Sequence, residues 1–139
     1  MISKFDLAQS LLDKAVSVSS DNNYTLIPFG EKYEPSASET YVTEYVIYGD
    51  DNSLGYSVES SDIQFGIYQL TIYTPKTEKG YQWKGLAMVD VYSREFSQGL
   101  HLASKQGQQI EIIKASTSAP NLSKTHMAHV LSIRFNVIN

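Results

Sequence analysis

The sequence predicts an α+β fold, in which a mainly antiparallel (mixed) sheet of about five strands has two helices packed against it. Segments with the two-residue period of strands cluster along the chain instead of alternating with helices, which is typical of this class. Two further segments have the apolar periodicity of helices. The predicted order is helix, strand, strand, strand, helix, strand, strand. With 139 residues, 42% of them hydrophobic, the chain can bury one core, and we expect one domain over residues 1–139.

The first predicted element is an amphipathic helix that ends near Val18. Ser3 can cap it, and Asp6 follows at the position of the reciprocal acid of a capping box. Residues 24–29 predict a short strand, and Pro28 near its end favours an edge position in the sheet. The helical face that we expect to be buried consists of Phe5, Ala8, Leu12, Ala15 and Val16.

Residues 40–48 predict a stronger strand that is substantially apolar on both sides. Val42, Glu44, Val46 and Tyr48 share one side, because successive side chains of a strand point to opposite faces. Such a strand is either covered on both faces or lies at a contact between subunits. The candidate interface residues on its other side are Tyr41, Thr43, Tyr45 and Ile47.

Residues 49–62 are acidic and contain neither lysine nor arginine. They predict a long hairpin excursion between two strands. Loops of this length in a compact domain are usually functional or mobile. The acidic residues that we single out as candidates for contacts outside the subunit are Asp50, Asp51, Glu59 and Asp62.

The longest strand is predicted over residues 63–74, and Gly66 within it indicates a bulge or a close backbone approach. Residues 79–98 then predict the second helix. Its expected core face comprises Leu86, Val89, Phe96 and Leu100. Met88 and Val91 fall on another side, among charged residues, and are our second candidate subunit contact. The alternative is that they are two scattered surface residues.

Two strands close the predicted fold, over residues 108–114 and at the C-terminal end. In the last one, apolar and polar residues alternate cleanly, which predicts one buried side. That side carries Met127, His129, Leu131, Ile133, Phe135 and Val137.

The sequence contains no recognisable catalytic, cofactor or metal motif. Absence of cysteine excludes disulfides, thiolate metal sites and cysteine nucleophiles. His101, His126 and His129 are each expected to be surface or structural residues, the last two on opposite faces of a strand. A net charge of −4 does not favour nucleic-acid binding. We find no apolar run of roughly 20 residues and no signal-peptide core, so a cytosolic protein is expected.

The order and length of the elements resemble the tail terminator, or tail completion, proteins of long-tailed phages. The most specific part is the strand FGIYQLTIYTP at residues 65–75, followed by the helix LAMVDVYSREF at residues 86–96. The strand ending in Ile27-Pro28-Phe29 and the strand at residues 40–48 also match the pattern of the family.

The resemblance implies a non-enzymatic subunit of a ring, typically a hexamer, at the head-proximal end of the tail tube. Such a ring stops tube polymerisation and offers the surface for head–tail joining. The implied partners are other copies of the chain, the tail tube protein and the head–tail connector protein. DNA would pass through the lumen without specific binding, no cofactor is implied, and the location is the neck of the virion tail after assembly in the host cytoplasm. The acidic residues 50–62 would face the tube, the connector or the lumen.

Three other functions are compatible with the residues. One is another phage neck or minor tail component such as a head-closure protein, although these are often richer in β-structure and lack the long second helix. Another is a ligand-binding or adaptor α+β domain of cellular origin, which would have a tyrosine-lined pocket. The last is a small hydrolase, which would need a histidine beside a serine or an acid in a cleft.

Overall fold

The computed structural model describes residues 2–49 and 65–138 and confirms an α+β fold with two helices. The helices are α1 (Lys4–Asp21) and α2 (Tyr81–Glu95). The strands are β1 (Leu26–Ile27), β2 (Tyr41–Tyr48), β3 (Phe65–Pro75), β4 (His101–Ala103), β5 (Gln109–Thr117), β6 (Asn121–Leu122) and β7 (His126–Ile138).

The strands form one sheet in the order β1-β2-β3-β7-β5-β4, and β6 pairs with β7. Every pairing is antiparallel except that of β1 with β2, which is parallel. The predicted mainly antiparallel, mixed sheet is therefore confirmed, whereas the predicted count of about five strands is too low, because the described sheet has seven. The missed strands, β4 and β6, have three and two residues, which is too few to display an alternating pattern.

The core lies between one face of this sheet and both helices. The central strands β3 and β7 supply alternate side chains that are 0% exposed, including Tyr68, Leu70, Leu131 and Phe135. Helix α2 packs across these two strands, and α1 contacts α2, β1 and β4. The buried side predicted for the last strand is confirmed, with only Met127 partly exposed.

Helix α1 begins as predicted, but it buries a different face. The Asp6 backbone N–H donates to Ser3 Oγ at 3.0 Å. The buried side chains are Leu7, Leu11, Ala15 and Val18, whereas Phe5 is 77% and Val16 46% exposed. Ala15 is buried as predicted and Ala8 packs against the core. The prediction was wrong for Phe5 and Val16, because apolar residues cover an arc of this helix wider than one stripe and the side with Leu7 and Leu11 packs on the core.

Helix α2 is rotated about its axis relative to the prediction. Val89 and Phe96 are buried as predicted. Gly85, Met88 and Tyr92 are buried as well, and Leu86 is 42% exposed. Tyr92 can lie in the core because its hydroxyl is 2.6 Å from Ser19 Oγ of α1. Burial raises the pKa of Tyr92 to about 12.

The rotation corrects one candidate interface assignment. Met88 is only 2% exposed and belongs to the hydrophobic core, so it does not lie on an outer strip of α2. Val91 is half-buried against the same core. A strip formed by these two residues was inferred from charged neighbours alone, and the packing of α2 on the sheet places them inward.

Gly66 marks a close backbone approach and not a bulge. The register between β2 and β3 is uninterrupted around it, and a Cβ at this position would lie 2.5 Å from the carbonyl oxygen of Ile47. The one register shift among the described pairings lies in β5, between Ile112 and Lys114.

Candidate interaction surfaces

The sheet has one face turned away from both helices, which we call the helix-free face. It carries the side of β2 singled out from the sequence, and the two ends of that side differ. At one end, the Tyr41 ring stacks on Tyr73, with ring centroids 4.5 Å apart. Tyr33 and His126 also pack near Tyr41, and the backbone oxygen of Glu39 lies 2.8 Å from His126 Nε2. Tyr41 and Thr43 are therefore half-buried within the subunit.

The other end of the same side of β2 is exposed and apolar. Tyr45 is 45% and Ile47 41% exposed. Phe29, which follows β1, is 70% exposed and packs edge-on against Tyr45 with ring centroids 4.9 Å apart. Phe65 at the start of β3 is 45% exposed. We call Phe29, Tyr45, Ile47 and Phe65 the sheet patch. The sequence indicated Tyr45 and Ile47, and Phe29 and Phe65 were missed because neither falls within the alternation of β2.

A buried carboxylate on the opposite side of β2 positions Phe29. Glu44 is 7% exposed, accepting the Phe29 backbone N–H at Oε2, 2.9 Å away, and the Tyr68 hydroxyl at Oε1, 3.0 Å away. Burial, followed by the negative charge of Glu44, raises the pKa of Tyr68 well above its ordinary value. Glu44 therefore ties the end of β1 to the core and holds the Phe29 ring beside Tyr45.

We expect Glu44→Ala to lower the free energy of unfolding by about 2–4 kcal/mol, because it leaves a buried hydroxyl and a backbone N–H without their acceptor. Glu44→Gln retains one acceptor oxygen and should cost less. Chemical denaturation of both variants measures the difference. Equal losses for alanine and glutamine would contradict a role for these hydrogen bonds.

A second exposed apolar surface lies on α2. Trp83 is 66% exposed and Leu86 is 42% exposed. They are three residues apart and so are neighbours on one side of the helix. We call Trp83 and Leu86 the helix patch. It replaces the strip around Met88 that the sequence indicated.

The two patches lie on opposite sides of the subunit. Because α2 packs on one face of the sheet, its outer side points away from the sheet, whereas the side chains of Tyr45 and Ile47 project from the helix-free face. The patches therefore cannot bury each other within one chain. Among residues 2–49 and 65–138, each patch is left exposed and is available to a neighbouring molecule.

The surroundings of His101, His126 and His129 are those of structural residues. The ring nitrogens of His101 lie 3.0 Å from Gln109 Oε1 and 3.1 Å from Glu111 Oε2. His129 is 2% exposed, its Nδ1 has no hydrogen-bond partner within residues 2–49 and 65–138, and burial lowers its pKa. His126 and His129 lie on opposite faces of β7, as the spacing predicts. In the same residues, no three histidine, cysteine or acidic side chains are grouped so that they could hold a metal ion.

Two further observations concern the remaining expectations. Asp50, Asp51, Glu59 and Asp62 lie outside the described residues, so their contacts stay a prediction. Neither helix in the described part of the chain has the length and apolar character needed to cross a membrane.

Comparisons with known proteins identify the fold alone. No family model matches the chain, and no curated protein matches it significantly. One solved structure, whose name states no function, is 14% identical in sequence and superposes with a TM-score of 0.77. The alignment covers 100% of this chain and 98% of that one. At this identity the likeness concerns the arrangement of helices and strands.

Proposed function

We propose that the chain is a phage structural protein that forms a homo-oligomeric ring at the head-proximal end of the tail tube. The ring stops tube polymerisation and provides the head–tail joining surface. The proposed partners are other copies of the chain, the tail tube protein and the head–tail connector protein.

The observation that carries this proposal is the placement of the sheet patch and the helix patch on opposite sides of one subunit. A two-fold dimer buries the same patch on both partners, whereas a head-to-tail contact joins two different patches. Repeated head-to-tail contacts close into a ring when the rotation between neighbours allows it. A pair of different apolar patches, Tyr45 and Ile47 on one side and Trp83 and Leu86 on the other, fits the second kind of contact.

The order of the elements supports the choice of a tail terminator among ring-forming proteins. The strand over residues 65–75 and the helix that carries residues 86–96 are the parts of the chain on which the resemblance rests. Both are present as regular elements, β3 and α2, and each contributes to one of the two patches.

Negative-stain microscopy tests the proposal directly. The purified protein, alone and mixed with tail tubes polymerised from the tube protein, should show rings and tubes capped at one end. Leu122→Glu should form rings and cap tubes like the wild type, because Leu122 is 64% exposed but lies on β6, outside both patches. A protein that neither forms rings nor binds tube ends would contradict the proposed function.

A further inference from the structure

The helix-free face also carries a basic hollow between β5, β7 and β3. It has a volume of about 200 Å³ and is lined by Ile67, Lys114, Ser116, Ser132 and Arg134. Lys114 and Arg134 are directly opposite each other in the pairing of β5 with β7, and Ser116 and Ser132 form the next pair on the same face. Two cations and two hydroxyls thus border one small cavity.

The bulge in β5 creates this arrangement. Ile112 pairs with Phe135, and after the register shift Lys114 pairs with Arg134. Without the extra residue, Ile113 would lie opposite Arg134, and Lys114 would turn toward the core. Bulges commonly redirect a side chain where a site requires it. Here the bulge brings Lys114 onto the helix-free face beside Arg134.

Lys114 lies beyond the part of β5 that pairs with β4, where β5 is locally the edge of the sheet. A lysine at such an edge needs no ligand, because it discourages edge-to-edge pairing. An arginine directly across from it does call for an explanation, since like charges in opposite positions of a strand pair are destabilising. The three ion pairs among the described residues involve neither Lys114 nor Arg134. Within residues 2–49 and 65–138, no carboxylate oxygen therefore lies within 4.0 Å of either cation.

We infer that this hollow, the phosphate hollow, binds a phosphate group. An oxyanion between the two side chains converts their repulsion into two charge-assisted hydrogen bonds, for which the arginine guanidinium is especially suited. The hydroxyls of Ser116 and Ser132 can donate to the remaining oxygens. Inorganic phosphate and the phosphodiester of a nucleic acid share this chemistry. The inference does not depend on ring formation.

Calorimetric titration of the full chain with inorganic phosphate, and separately with a short DNA duplex, tests the inference at constant ionic strength. We expect Lys114→Gln and Arg134→Gln each to weaken phosphate binding at least roughly tenfold, the equivalent of one charged hydrogen bond. Lys124→Gln is the matched control, because it removes the same charge from an exposed position outside the hollow, and its affinity should equal that of the wild type.

The two probes identify the source of the phosphate. If the wild type binds inorganic phosphate but not the duplex, the hollow is a site for the free anion. If the wild type binds both probes and the two variants lose both, the hollow also accepts a phosphodiester. Equal binding by Lys114→Gln and Lys124→Gln, or no binding of either probe by the wild type, would overturn the inference.

Unfolding in potassium chloride without phosphate supplies an independent readout. Neutralising Lys114 or Arg134 should then leave the unfolding midpoint unchanged or raise it, since it relieves the repulsion between them. A clear fall in the midpoint would show that a carboxylate of the protein already lies between the two cations, and the hollow would not be a ligand site.

Discussion

Mixing Ile47→Glu with Leu86→Glu is expected to produce a heterodimer, although each variant alone stays monomeric. In a head-to-tail assembly, every contact joins the sheet patch of one subunit to the helix patch of the next. Ile47→Glu retains an intact helix patch, and Leu86→Glu retains an intact sheet patch. One good contact can therefore form between the two variants, and it leaves only the altered patches to continue the chain. A glutamate at the centre of either patch should cost about 2 kcal/mol or more per contact.

Size-exclusion chromatography with light scattering measures this outcome. Both positions are already partly exposed, at 41% for Ile47 and 42% for Leu86, so the variants should keep the wild-type circular dichroism spectrum. Leu122→Glu should assemble like the wild type. Two results would contradict head-to-tail assembly through these patches: rings formed by either variant alone, or a mixture that contains monomers only.

The sequence is sufficient to predict the fold class because the alternation in β2, β3 and β7 is long and regular. Residues 126–138 alternate over a full 13-residue strand, so the buried side of β7 follows directly from the pattern. The short strands β4 and β6 have no such signal, since their pairing with β5 and β7 depends on the tertiary fold. The alternation also placed Tyr45 and Ile47 on one side of β2 as candidate interface residues, but it could not reveal that the end of the strand near Tyr41 is packed within the subunit.

The buried face of α2 could not be predicted from the sequence, and the reason is physical. Hydrophobicity favours Leu86 as a core residue and gives no weight to Gly85. In the structure, Gly85 lies directly against the ring of His129 of β7, and the hydroxyl of Tyr92 lies 2.6 Å from Ser19 Oγ. Both features depend on a partner that is distant in the sequence. His129 is 44 residues from Gly85, and Ser19 is 73 residues from Tyr92. The rotation that follows buries Met88 and exposes Leu86, which changes the candidate interface.

Gly85→Ala is expected to destabilise the protein even though alanine is the better helix former. In a solvent-exposed helix, the change would gain about 1 kcal/mol. Here the added Cβ would lie 2.4 Å from both Cε1 and Nδ1 of His129, a residue of β7 that is only 2% exposed. Overpacking of this kind typically costs about 1–3 kcal/mol, so after the propensity gain we expect a net loss of up to about 2 kcal/mol in the free energy of unfolding. Ala87→Gly, at an exposed position of α2, measures the difference in helix propensity between alanine and glycine without overpacking.

A double-mutant cycle with His129→Ala shows whether the glycine is required by the histidine ring. His129→Ala should destabilise the protein because it opens a cavity beneath α2. In that background, Gly85→Ala has room for its methyl group and should be neutral or stabilising, so the two losses will not add. Chemical denaturation of all four proteins should give a coupling energy of about 1–3 kcal/mol. Additive losses would contradict the contact, and with it the orientation of α2 that places Trp83 and Leu86 on the outer side of the subunit.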